Sequence, residues 1–417
     1  MRFREDRLDQ FRLSRCLPSA VGRRLAGGAL LAVLGLAACA PQPPRPTFVG
    51  IAPPIAPQAA PQPARPAVTR VALLLPLSGP QGPLGQAMLN ASYLALFDEA
   101  PTGVELAPRD TTGTAQGAMA AAQAAIQEGA QILVGPLTSG ETVAVAQAAR
   151  AANVPVLAFT NDTQRAAPGL WALGNSPAQQ VRRVVQAAAQ DGAQRFGLSA
   201  PDTEFGRALA AALRGATADL GLPPPVVLLH PAAADPGMAA AGGRGQLAGL
   251  DAVMIGEAGD RVRRFLAGWA QEGALPAPPG APASQSAAGG PRLLGTALWV
   301  GDAAAAAEPA LQGSRFAGPD GQARARFEAR YRDAFQETPP RIAAIAYDAA
   351  ALGVRTAVMG GRDPTATTAS APFAGADGPV RLLGNGQVLR GLGLYTITED
   401  GQIRQIEPGP PPAGAGF

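Results

Sequence analysis

Residues 135–140, Gly-Pro-Leu-Thr-Ser-Gly, concentrate groups able to hold a small anion. They follow an apolar run, Gln131 to Gly135, with the composition of a buried strand, and lead into helical apolar spacing over 141–152. Thr138 and Ser139 thus present hydroxyls and backbone N–H groups at a helix N-terminus, where unsatisfied donors and the helix dipole favour an anion such as a carboxylate. Helix caps draw on the same residue types, so the loop reads as either an anion site or a cap. Ser78 follows the first predicted strand, and Thr160, Asn161 and Asp162 follow the fourth, all at carboxyl strand ends. Glu257 comes directly after a strand at 251–256, as a site acid or a helix-start acid. Catalysis has fewer resources. His230 is the one histidine and precedes Pro231, so no histidine triad or His/Cys metal cluster can be assembled. Neither a GxSxG elbow nor a GxxxxGK[ST] loop occurs. The chain reads as a non-enzyme with no metal and no cofactor.

Alternating elements must position these residues. Val71 to Leu75 is a continuous apolar run, expected for a strand buried on both faces. A helix at 82–97, a strand at Val104 to Leu106, a helix at 115–128, the strand at Gln131 to Gly135, the helix at 141–152 and a strand at Val154 to Phe159 follow. The pattern restarts after Trp171 with a helix at 177–190, then a strand at Arg195 to Ser199, a helix at 204–220 and strands at Val226 to Leu229 and Asp251 to Gly256. A helix at 260–273 and a strand at Arg292 to Trp299 complete this second set. Helices at 320–336 and 341–359 precede a β-rich end, Val380 to Leu383 and Gly391 to Thr398, with Gly384-Asn385-Gly386 as a hairpin turn. Strand and helix at this spacing imply parallel sheets covered on both faces. Two such sets imply two α/β lobes, because single cores rarely grow beyond about 250–300 residues.

The ends have a different composition. Arg23 and Arg24 precede a small-and-apolar run, Leu25 to Ala38, too short for the roughly twenty residues that span a membrane, as in a secretory signal. Leu36-Ala37-Ala38-Cys39 resembles the lipobox of bacterial lipoproteins, which implies lipidation of Cys39 as the mature N-terminus. Ala40 at the next position implies, by the same resemblance, sorting to the outer membrane. Residues 40–67 are proline-dense, an extended tether that at about 3.1 Å per residue reaches roughly 80 Å. Residues 276–290 form a low-complexity insert, and the tail from Pro408 to Phe417 reads as frayed. Beyond residue 38 the chain carries 27 basic and 28 acidic residues, so the overall net charge of +3 belongs to the signal and gives no ground for nucleic-acid binding. Cys39 is the single cysteine there, which excludes internal disulfides.

Several segments together resemble the type I periplasmic-binding-protein fold in its leucine/isoleucine/valine-binding branch: LLLPLSGPQGPLGQAMLNAS (73–92), ILVGPLTSGETVAVAQAARAANVPVLAFTND (132–162), PDTEFGRAL (201–209), FEARYRDAFQETPPRIAAIAYDAAAL (327–352) and GPVRLLGNGQVLRGLGLYTITEDGQI (378–403). The LLLPLSGP opening, the GPL-x-S segment and the VPVLAF strand are nearer still to the penicillin-binding protein activator lipoproteins of Alphaproteobacteria. The resemblance implies two doubly wound α/β lobes with a cleft between them. The first lobe would be residues 68–175 with 313–375, the second 176–312 with 376–407. It places Thr138 and Ser139 on a ligand's α-carboxylate, and Phe205 where relatives often carry a tyrosine. Relatives that bind amino acids also place an acid just after the strand matching 292–296; here the first acid is Asp302, which weakens amino-acid binding unless Glu257 substitutes. The function implied is activation of a peptidoglycan synthase (a penicillin-binding protein) by a lipid-anchored periplasmic protein through protein contact. The alternative is a solute-binding lipoprotein of an ABC importer for amino acids or related carboxylated molecules.

Overall fold

The computed structural model describes residues 68–270 and 290–412. The signal, Cys39, the tether, the body of the insert and residues 413–417 lie outside them. The first lobe is built on β1 (Thr69–Leu75), β2 (Val104–Asp110), β3 (Ala130–Val134), β4 (Val156–Ala158) and β5 (Leu170–Ala172), a parallel sheet in the order β2-β1-β3-β4-β5. The run 71–75 is buried throughout. Its alternate residues face opposite layers, as the two-residue period of a strand demands. Val71, Leu73 and Leu75 enter one core with Met88 and Leu94 of α1 (Gly82–Glu99). Ala72 and Leu74 enter a second core with α2 (Ala115–Gln127) and α3 (Ser139–Ala152). Strand order reverses between β1 and β3, and a crevice opens at the carboxyl ends of such strands.

The second lobe contains α4 (Pro177–Gln190), β6 (Phe196–Pro201), α5 (Glu204–Asp219), β7 (Val226–His230), α6 (Pro236–Leu247), β8 (Ala252–Ile255), α7 (Asp260–Ala270), β9 (Arg292–Gly295), the short α8 (Ala303–Ala306) and β10 (Arg315–Gly318). The chain then returns to the first lobe as α9 (Gly321–Phe335) and α10 (Ala343–Val358). Phe327, Tyr331 and the alanine-rich face of α10 join the core of Val71 and Leu73. A three-stranded sheet, β11 (Phe373–Gly375), β12 (Gly378–Leu382) and β13 (Val388–Arg390), packs Val380, Leu382 and Val388 into that same core. β14 (Gly393–Ile397) and β15 (Ile403–Glu407) finish the second sheet, ordered β15-β14-β10-β9-β8-β6-β7 and antiparallel at the β14 end.

The crossovers differ from the expected boundaries. β10 is paired with β9 and β14, so the second lobe extends to Gly318. β12 and β13 stay with the first lobe to Arg390. The start of the tail expected to fray is packed: the Gly409 N–H donates to Asp320 Oδ2 (2.9 Å), and Pro410 runs against Gly391.

Two further departures have clear causes. The segment expected as a strand to Trp299 stops at Gly295, where Thr296 caps a 3-10 turn over Ala297–Trp299. The Trp299 ring folds back over Gly295, where a Cβ would meet it at 2.2 Å. Helix α6 carries Gly237, Gly242, Gly243 and Gly245 and lacks a helical signature in sequence. Two of those glycines sit in close contacts: a Cβ on Gly237 would stand 2.9 Å from the Arg264 carbonyl oxygen of α7, and one on Gly243 would stand 2.6 Å from Leu228 of β7.

Candidate functional site

Between the lobes lies a cavity of about 1450 Å³. The first lobe contributes Thr138, Ser139 and residues 159–162; the second contributes Thr203, Glu204, Phe205, Arg207 and Leu298; Asn175, Arg324, Asp377 and Tyr395 come from beside the crossovers. Gly135 (φ +100°) turns the chain out of β3 with its α-carbon against Leu74 and Phe159; a Cβ there would lie 2.3 Å from the Leu74 carbonyl oxygen. Only glycine tolerates that approach, and it aims residues 136–139 at the cavity.

The side-chain donors at the helix N-terminus so positioned are already engaged. Thr138 and Glu141 form a reciprocal capping box: the Glu141 N–H donates to Thr138 Oγ1 (3.2 Å), and Glu141 Oε2 accepts from the Thr138 N–H and from its hydroxyl (both 2.9 Å). Glu141 is buried. Its carboxylate sits where the dipole and free donors of α3 would favour a ligand's anion. The Ser139 hydroxyl donates to Asp162 Oδ2 (2.6 Å), and Arg165 Nε donates to both Asp162 Oδ2 (2.8 Å) and Ser139 Oγ (3.1 Å). Burial alone would push the Asp162 carboxyl up, but the bonds from Ser139, Arg165 and the Gln164 N–H together hold it below the usual range. Two of the chain's own carboxylates therefore occupy both hydroxyls and the Thr138 N–H expected to hold an external one.

Thr160 is buried at the cavity wall, and its Oγ1 accepts from the Asp162 N–H (3.1 Å). Phe205 is half-buried on the facing wall, next to the N-cap Thr203 of α5. Ser78 and Glu257 lie apart from the cavity lining. The Ser78 N–H donates to Asp110 Oδ1 (3.3 Å), one of three N–H groups gathered by that carboxylate. Glu257 points into the second lobe. It is 3% exposed, binds Arg261 through both oxygens (2.7 and 2.9 Å), and lies 3.3 Å from His230 Nε2. That pairing leaves it no capacity to receive an ammonium from the cleft. Asp302, the first acid after β9, is committed as well, accepting from the N–H groups of Gly259 (2.7 Å) and Ala304 (3.0 Å). Among the described residues no cluster of three or more His, Cys, Asp or Glu could hold a metal ion.

Sequence reasoning missed Glu141, although Thr138-Ser139-Gly140-Glu141 carries the S/T-x-x-E signature of a capping box. It also missed Arg165, three residues from Asp162. Arg324, Arg341, Asp377 and Tyr395 had no local signal, because they lie on α9, just before α10, in the β11–β12 turn and on β14, segments that only the fold brings to the cavity.

The family described as periplasmic binding protein matches residues 68–402. No curated protein sequence matches the chain significantly. Among solved structures, a putative branched-chain amino acid ABC transporter from Rhodospirillum rubrum is 18% identical, with a TM-score of 0.68 over 81% of this chain and 100% of that one. Full-length LpoA from Haemophilus influenzae is 17% identical, with a TM-score of 0.62 over 82% of this chain and 59% of that one. A solute binding protein of an ABC transporter from R. palustris, in complex with benzoate, is 19% identical, with a TM-score of 0.56 over 84% and 98%. At these identities the structural likeness shows the fold alone. With the family matched over most of its length and two α/β lobes enclosing a cleft, the chain belongs to the periplasmic binding proteins.

Proposed function

We propose that this chain is a lipid-anchored periplasmic protein that regulates a peptidoglycan synthase by direct protein contact, using the binding-protein fold as a docking body rather than as a carrier of amino acids. The observation that carries this reading is the engagement of the Thr138 and Ser139 hydroxyls at the N-terminus of α3 by the chain's own carboxylates. Glu141 takes the Thr138 donors and Asp162 takes the Ser139 hydroxyl. An amino acid bound through those hydroxyls would have to displace two internal carboxylates and would find Glu257 and Asp302 already bonded on the other side. Leaving a ligand ammonium buried without a counter-charge costs several kcal/mol. The resemblance to penicillin-binding protein activators, the Cys39 lipobox and the proline tether supply the rest of the proposal, including an outer-membrane anchor. The large cleft favours a second reading, an importer's receptor for another class of small molecule.

Thermal denaturation of the mature chain separates amino-acid carriage from both. A ligand bound only by the folded state raises the apparent midpoint. Leucine, isoleucine and valine are expected to leave the midpoint unchanged up to millimolar concentration; a saturable rise at micromolar concentration contradicts the proposal.

A further inference from the structure

Four arginines line the cavity: Arg182, Arg207, Arg324 and Arg341. Three hold carboxylates. Arg182 pairs with Asp219 (3.3 Å), Arg207 with Asp202 (2.6 Å) and Arg324 with the buried Asp377 (2.5 Å). Arg341 differs, because no hydrogen bond or ion pair among the described residues engages its guanidinium, whereas its main-chain oxygen accepts from Arg324 Nη1 (3.1 Å). The acids nearest to it are committed, Asp302 to backbone N–H groups and Asp377 to Arg324 and Asn175. Burial and the neighbouring Arg324 charge both press on its protonated form, against the weaker pull of Asp302 and Asp377. The corner therefore holds one positive charge without a match.

Its position is also specific. Arg341 belongs to the first lobe, immediately before α10, yet its Nη2 lies 3.8 Å from where a Cβ on Gly301 of the second lobe would stand. An anion on this guanidinium is held at the boundary of the two lobes. The adjoining cavity wall is apolar, formed by Leu298, Val300, Ile342 and Ile345. A guanidinium presents a planar donor fork that matches a carboxylate, and such charge-assisted pairs are about twice as strong as neutral hydrogen bonds. Of the four acids in the lining, Asp162 and Asp377 are each bonded to an arginine, Glu328 faces Arg332 one helical turn on (4.0 Å), and Glu204 is exposed, where water screens its charge.

We infer that Arg341 anchors the carboxylate of an organic monoacid, one with an apolar body and no α-ammonium, in the cleft between the lobes. This holds whether the acid is cargo or an effector of a protein contact. It rests on the reading of the cleft as closed to amino acids, and extends it by naming what the cleft admits.

The test compares 4-methylpentanoate, which is leucine without its amino group, with leucine and with inorganic phosphate, by calorimetric titration of the mature chain. Saturable binding of 4-methylpentanoate is expected, with leucine and phosphate at least tenfold weaker. Arg341→Gln is expected to weaken 4-methylpentanoate by roughly ten- to a hundredfold, the range for losing a hydrogen bond to a charged group. Arg341→Lys is expected to fall between, and Ser139→Ala to leave the affinity unchanged. Arg341 is only partly covered by the cavity wall, so these variants retain the fold. Failure of 4-methylpentanoate to bind, binding that survives Arg341→Gln, or phosphate binding as tightly overturns the inference and leaves the synthase reading standing. Tight leucine binding that Ser139→Ala abolishes overturns both.

Discussion

Replacing Asp348 by alanine is expected to destabilise the protein by about 3–5 kcal/mol, the usual cost of removing one member of a buried ion pair. Asp348 and Arg390 have no exposed side-chain surface. Asp348 Oδ2 accepts from Arg390 Nη1 (2.7 Å) and Oδ1 from the Ala376 N–H (2.6 Å), while Arg390 Nη2 donates to the Leu173 carbonyl (3.2 Å). One carboxylate thus ties α10 to the β11–β12 turn, to the end of β13 and, through Arg390, to the chain leaving β5. Removing it strands a guanidinium in the core. Arg390→Ala is expected to cost a similar amount, and the double variant clearly less than the two together, because the pair acts as a unit. Urea unfolding at constant slope measures all three.

The pH dependence has an unusual sign. Complete burial pushes the Asp348 carboxyl up to about 6, with Arg390 pulling it down and Asp377 adding to the rise. The folded state therefore binds this proton more tightly than the unfolded state does. Its contribution to stability grows as pH falls from about 6 toward about 4 and is lost as pH rises through that window. The gap between the native chain and Asp348→Ala is accordingly expected to widen on going from pH 7 to pH 5; a gap that narrows contradicts the assignment.

Trp299→Ala is expected to cost about 3–5 kcal/mol, as for other buried large-to-small aromatic substitutions. The ring is fully buried, edge-on to Phe316 at 5.7 Å between centroids, and its Nε1 donates to the Glu257 carbonyl oxygen (2.8 Å). Truncation leaves both a void above Gly295 and an unpaired carbonyl. Trp299→Phe is expected to cost less, since it fills most of the volume and forfeits chiefly the hydrogen bond. Denaturant midpoints compare the two; equal losses would mean that packing is minor here.

The same residue explains where the sequence misleads. Arg292 to Trp299 is uniformly apolar enough to read as one strand, but a tryptophan that must plug the second lobe's core ends β9 four residues early. Val71 to Leu75 was legible because burial on both faces removes polar residues from the run itself. Helix α6 was not, because four of its twelve residues are glycines, two of them held by close contact with α7 and β7 rather than chosen for helix propensity. For the site, the loop at 135–140 could be read as a helix start facing a crevice. Whether its donors were free depended on Glu141, legible as a capping box, and on Asp162 with Arg165, brought over from the end of β4. Arg341 acquires its meaning only from the distant chain segments that leave it unmatched.

The most direct test of the account is affinity purification of the full-length, membrane-extracted chain, followed by mass spectrometry of what accompanies it. The account expects a penicillin-binding peptidoglycan synthase to co-purify, and synthesis by the purified synthase to rise when the mature chain is added. Recovery of an importer's permease and ATPase in place of a synthase, with no effect on synthesis, contradicts it.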